Sequence, residues 1–191
     1  MSAGYPDDPL WRAIDGLAFD RSNHDLTFTR RLARENGWRE WYAQRVVDEY
    51  RRFLYLLGRA GHPVTPSVPV DRAWHLHLAY SRSYWEELAP HYDTPPHHGP
   101  TMGGAAEGEK FREWYDRTLA SYARIFGEPA PEHIWHPPEE RFRPSQMWRW
   151  IDVSRQVPVP KAAHERRRLL LFLSIGLNAV LAAALIFMWA G

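Results

Sequence analysis

The chain has 191 residues, 24 Lys plus Arg against 23 Asp plus Glu, and no cysteine. That length gives room for one ordinary domain and a short accessory segment, not for a large multidomain enzyme. The balanced charge excludes the global basic field that drives binding to a phosphate backbone, so no nucleic-acid partner is expected. Without cysteine, disulfides, thiolate zinc sites, iron–sulfur clusters and cysteine nucleophiles are all excluded, and a metal must be held by His, Asp, Glu or backbone oxygen.

Met1 to Leu10 has neither the charged n-region nor the apolar stretch of a secretory signal, so the domain is expected to stay in the cytoplasm. Pro6, Asp7, Asp8 and Pro9 open a short helix near Leu10 to Phe19, and Asp25 suits the N-cap of a second helix ending at Gly37. From Trp38 to Leu57, apolar residues at Trp38, Trp41, Tyr42, Val46, Tyr50, Phe53, Leu54 and Leu57 recur every three or four positions, which predicts a core helix. Gly58, Gly61 and Pro63 end it, and Pro66 and Pro69 keep the chain extended before a third helix, predicted from Val70 to about Leu88.

A loop rich in His, Pro and Gly runs from Pro90 to Gly108 and is longer than a plain connector needs. Phe111, Trp114, Tyr115, Thr118, Leu119, Tyr122, Ile125 and Phe126 then mark another core helix, stopped by Gly127. Pro129 to Pro160 is punctuated by proline, with Trp135, Phe142, Trp148 and Trp150 expected in short turns packed on the domain, or at a membrane interface in the case of the last two. No segment alternates as a β-strand does, so the fold is expected to be all-α.

Leu169 to Trp189 carries no charged residue, and as a helix rising about 1.5 Å per residue it would span roughly 31 Å, the thickness of a bilayer core. Lys161, His164, Arg166, Arg167 and Arg168 precede it, which by the positive-inside rule orients the N-terminal domain to the cytoplasmic face of the cell (inner) membrane. Gly176, Ala179 and Ala183 share one stripe with Asn178 nearby, a pattern that permits self-association. The expected organisation is a cytoplasmic helical domain over 1–150, a linker over 151–164 and a C-terminal transmembrane helix over 165–190.

The most distinctive segment is Val70-Asp71-Arg72-Ala73-Trp74-His75-Leu76-His77. Two positions apart on a helix, side chains diverge by about 200°, so His75 and His77 cannot share one ligand. His77 falls on the apolar stripe with Val70, Trp74, Leu78, Ser81, Trp85 and Leu88, where a core imidazole bonded to a neighbour is the plain expectation. His75 lies on the polar flank one turn after Asp71, a pair suited to a metal ligand or general base, or equally to a solvated face and helix-dipole stabilisation.

The loop supplies His91, His97 and His98; folded back, one or two of these would join His75 around a divalent cation such as zinc. Gly99 to Gly104 precede a helix, so Thr101, Gly103 and Gly104 offer an anion site, although a tight turn explains the glycines as well. The run Gly104 to Phe111 departs from the P-loop pattern, and no serine lies in a nucleophile elbow.

Pro66-Ser67, Val70-Asp71, Trp74-His75-Leu76-His77, Tyr84, His98-Gly99-Pro100-Thr101 and Gly103-Gly104 together resemble the bacterial branch of the glycine-rich domain-containing protein-like family. The resemblance covers about residues 38–142 and implies a domain without an established biochemical activity, often found beside membrane segments. Asp71, Trp74, His75, His77 and Tyr84 are its candidate functional cluster. The sequence leads to a membrane-tethered module that binds a protein partner, ahead of a metal-dependent, hydrolase-like enzyme built on Asp71, His75 and the loop histidines.

Overall fold

The computed structural model describes residues 5–20, 25–99, 103–143, 165–176 and Trp189. The chain divides into two units, 1–144 and 145–191. The first is built from helices α1 (Pro9–Asp15), α2 (Phe28–Asn36), α3 (Glu40–Arg59), α4 (Val68–Ala79), α5 (Ala105–Phe126) and the short α6 (Pro138–Arg141), with no strand among the described residues. The all-α expectation is met.

Local chemistry sets most of the boundaries. The Asp8 side chain accepts the Leu10 N–H at 2.8 Å and opens α1. Thr27, rather than Asp25, caps α2, and Gly37 closes it at φ 67°, a left-handed conformation that glycine adopts without strain. Ser67 caps α4, and Pro69 occupies its first turn, where no intrahelical donor is lost.

Helix α3 is the centre of the domain and packs against α1, α2, α4 and α5. Its Ala43, Val46, Val47, Tyr50, Phe53, Leu54 and Leu56 are buried, meeting Ile14, Leu32, Ala73 and Trp74 from its neighbours in one core. Trp41 departs from the expected stripe: it is 64% exposed. A buried carboxylate braces the far side of the domain. Glu49 accepts from the Tyr122 hydroxyl at 2.9 Å and from the Trp135 indole at 2.8 Å, with Arg52 at 3.5 Å, so that α3, α5 and the segment after α5 are held by one acceptor.

The predicted continuous helix from Val70 to Leu88 is interrupted. Helix α4 stops at Ala79, Tyr80 leaves helical geometry at φ −86°, ψ 59°, and the chain resumes as a π-helical turn over Ser83–Leu88 and a 3-10 turn over Ala89–His91. Tertiary contacts explain the break: the Tyr80 ring packs on Phe28 at 5.4 Å and its hydroxyl accepts from Arg31 Nε at 3.0 Å. The register shift buries Tyr84 and Leu88 but turns Trp85 out to 44% exposure, so Trp85 leaves the core stripe on which the periodicity placed it.

In the second unit, residues 165–176 are helical, and Leu169 to Leu173 and Ile175 are exposed. Among the described residues no helix is long and apolar enough to cross a membrane. The remainder of the expected span, residues 177–188, lies outside the described residues, as do the 151–164 linker, Trp148 and Trp150.

Candidate metal centre

One turn of α4 presents Asp71 and His75 on its outer flank, and the chain before α5 folds back to add His98. The His98 Nε2 lies 2.8 Å from Asp71 Oδ1, and the His75 Nε2 lies 3.5 Å from Asp71 Oδ2. The two imidazole rings meet edge to face, 4.2 Å between centroids. One ligand atom from each of the three residues can be chosen so that all lie within 4.8 Å of one another. A tetrahedral zinc with bonds of about 2.0–2.1 Å would set its ligand atoms about 3.3 Å apart, so small side-chain rotations suffice to enclose a cation.

Exposure differs across the three. The His98 side chain is 13% exposed and that of His75 58%, which leaves one side of the cluster open to solvent. Two imidazoles and a carboxylate with open positions are a donor set for zinc or another first-row divalent ion. His97, expected as a ligand, is not brought in: its ring sits 5.6 Å from Trp85, and the cluster is formed by Asp71, His75 and His98.

The return of the loop is fixed from below. The Trp74 indole donates to the Tyr84 hydroxyl at 3.0 Å, and that hydroxyl donates to the Pro96 carbonyl at 2.6 Å, two residues before His98. Burial raises the Tyr84 pKa, which keeps the donating proton in place. The Trp74 ring also supports the His98 imidazole at 4.5 Å. Trp74 and Tyr84, candidates by sequence, are therefore positioning residues beneath the cluster rather than members of it.

His77 faces inward, as its stripe predicts. It is fully buried, with Nδ1 2.9 Å from the Tyr50 hydroxyl and Nε2 3.2 Å from Ser83 Oγ, and Ser83 donates onward to Glu87 at 3.1 Å. Burial pulls its pKa down to about 4. This side borders a cleft of about 520 Å³ that Phe19, Phe28, Arg31 and Tyr80 help to line. With Ser83 giving its proton to Glu87, the imidazole holds the serine as an acceptor, the reverse of what an activated nucleophile requires.

The glycine turn serves α5. Gly103 and Gly104 both have positive φ, 83° and 98°, and the Gly103 N–H is taken by the Glu107 carboxylate at 2.6 Å. An internal carboxylate thus occupies the amide that an anion site would offer, and the tight-turn reading holds for these two residues; Thr101 lies outside the described residues.

Arg141, on α6, was not singled out by any motif. It donates from Nε to the Pro66 carbonyl at 3.3 Å, next to the Ser67 cap of α4, and lies over the Phe142 ring at 5.0 Å. It is half-buried, and the desolvation lowers its pKa while the Asp71 carboxylate opposes the shift. Among the described residues no carboxylate pairs with it directly.

No protein-family model matches the chain, and no curated protein or solved structure is similar to it.

Proposed function

We propose that the helical domain binds a divalent metal ion, zinc by preference, through Asp71, His75 and His98, and uses the open side of that centre for hydrolytic chemistry. The observation that carries this reading is the convergence of three donor atoms within 4.8 Å from two separate segments, α4 and the chain before α5. A zinc ion with three protein ligands and an open position lowers the pKa of bound water to about 7 and so supplies a nucleophile at neutral pH. The chain's own contribution is to fix the ligands: Asp71 and His75 by helical spacing, His98 by the Trp74–Tyr84–Pro96 chain of hydrogen bonds. This convergence favours the metal reading over a module that only recruits a protein partner.

Metal content settles it. Full-length protein purified in detergent without a histidine tag and equilibrated with zinc is expected to retain one ion per chain. Asp71→Asn, His75→Ala and His98→Ala should each lose it. Folded wild-type protein that holds no stoichiometric metal would overturn the assignment.

The proposal includes the address. Leu169 to Trp189 is taken as a single membrane anchor with the domain on the cytoplasmic side, supported by the uncharged run and the arginines before it. The described start of that run adds a second support: Leu169 to Leu173 are 61–65% exposed on consecutive positions, an apolar surface all round the helix that suits lipid. Resistance of the full chain to alkaline extraction from membranes, lost on removal of residues 169–191, is the expected result. Membership of the glycine-rich domain-containing protein-like family, a protein partner at the membrane and self-association through the Gly176 stripe belong to the same proposal, resting on the sequence motifs alone.

A further inference from the structure

Arg141 poses a charge problem that an anion beside the metal centre would resolve. Its Nε is engaged by a neutral carbonyl, its central carbon lies 5.0 Å over the Phe142 ring, and no carboxylate pairs with it among the described residues. A half-buried guanidinium without an anionic partner is unfavourable, because desolvation is offset only weakly by a carbonyl and an aromatic face. The Pro66 carbonyl that Arg141 holds adjoins the Ser67 cap of α4, one turn before Asp71, whose negative charge favours the guanidinium. Once a divalent cation sits on Asp71, that carboxylate is neutralised, and cation plus guanidinium leave two positive charges in excess near the start of α4.

We propose that the site takes an oxyanion, a phosphate or carboxylate group, held between the metal on Asp71, His75 and His98 and the guanidinium of Arg141. This rests on the metal reading above and names the substrate class of the same site. Arginine suits the role because its terminal amino groups form a planar fork that matches two oxygens of such a group, and none of them is committed to a described acceptor. The contact with Pro66, beside the cap of the helix that carries Asp71 and His75, fixes the fork relative to the ligands.

The test is calorimetric titration of inorganic phosphate, and separately of acetate, into the zinc-loaded and zinc-free full chain in detergent. Binding is expected only with zinc. Arg141→Gln should weaken it about 10- to 100-fold, the scale of a lost charge-assisted pair of hydrogen bonds, while zinc affinity measured by chelator competition stays within about threefold. Arg141→Lys keeps the charge and the stem but not the fork, so an intermediate loss is expected. Tighter phosphate than acetate points to a phosphoryl substrate, and the reverse to a carboxylate. Equal anion binding by wild type and Arg141→Gln, with zinc retained by both, would overturn the inference and leave the metal reading standing. Failure to bind zinc at all would overturn both.

Discussion

Replacing Tyr84 with Phe removes one hydroxyl and leaves the shape of the core intact, so the consequences are those of two hydrogen bonds. The Trp74 indole N–H, 3.0 Å away, and the Pro96 carbonyl, 2.6 Å away, both lose their partner, and the Tyr84 side chain is fully buried. An orphaned buried polar group costs about 1–3 kcal/mol, so the pair puts the loss at roughly 2–6 kcal/mol, less where water enters. Against a total stability of about 5–15 kcal/mol for a domain of this kind, that is a large fraction. The second consequence is functional. Pro96 is the fixed point from which the chain reaches His98, and a loosened His98 should weaken zinc binding by about 10- to 100-fold, the scale seen when groups that orient a ligand are removed. Urea unfolding followed by tryptophan fluorescence gives the first quantity, and chelator competition gives the second. A variant that loses stability yet binds zinc as wild type does would refute the idea that this hydroxyl positions the metal ligand.

Three further outcomes follow from named contacts. His97→Ala should leave zinc affinity unchanged while His98→Ala abolishes one-to-one binding, although the two residues are adjacent; equal losses in chelator competition would contradict the geometry. Burial holds the His77 pKa at about 4, below the ordinary value of 6.5, so the unfolded chain takes up a proton first as pH falls. The stability this imidazole allows is therefore complete above pH 6.5 and lost progressively down to about pH 4. The share lost between pH 6.5 and 5 is about 1.6 kcal/mol, and it should vanish from the pH dependence of unfolding in His77→Asn. Trp135→Phe removes one donor from the buried Glu49 carboxylate and should lower the unfolding free energy by about 1.5–3 kcal/mol without changing metal content.

The helices were legible in the sequence because they depend on local patterns: the three- and four-residue recurrence of α3 and α5, the Ser67 cap, the Gly37 and Gly127 stops. The break after Ala79 was not, because it depends on Phe28 and Arg31, about fifty positions away in the chain, drawing Tyr80 out of the helix. For the same reason Trp85 was misplaced in the core. Within the site, Asp71 and His75 are neighbours by helical spacing and could be paired on paper. His98 could be named as a loop histidine but not chosen over His97, since the choice is made by the Tyr84 hydroxyl gripping Pro96 and by the Trp74 ring beneath His98. Arg141 carried no signal at all: its relevance comes from a carbonyl at Pro66 on the far side of α5 in sequence.

The two histidines of the Trp-His-Leu-His run show how one helix separates structure from chemistry. On the inner face, His77 lies among Phe19, Phe28, Tyr50 and Tyr84, where desolvation keeps it neutral and both ring nitrogens are occupied. Such an imidazole cannot take a metal without dismantling the core. On the outer face, His75 pairs with Asp71 from its own helix, and that pair is 58% and 30% exposed, too open to add much to stability as an ion pair. What distinguishes it from an ordinary solvated pair is the arrival of His98, which the fold secures with a tyrosine, an indole and a proline carbonyl buried beneath it. The polar chain fixes the position of one imidazole relative to a carboxylate and a second imidazole, the arrangement that the proposed metal centre needs.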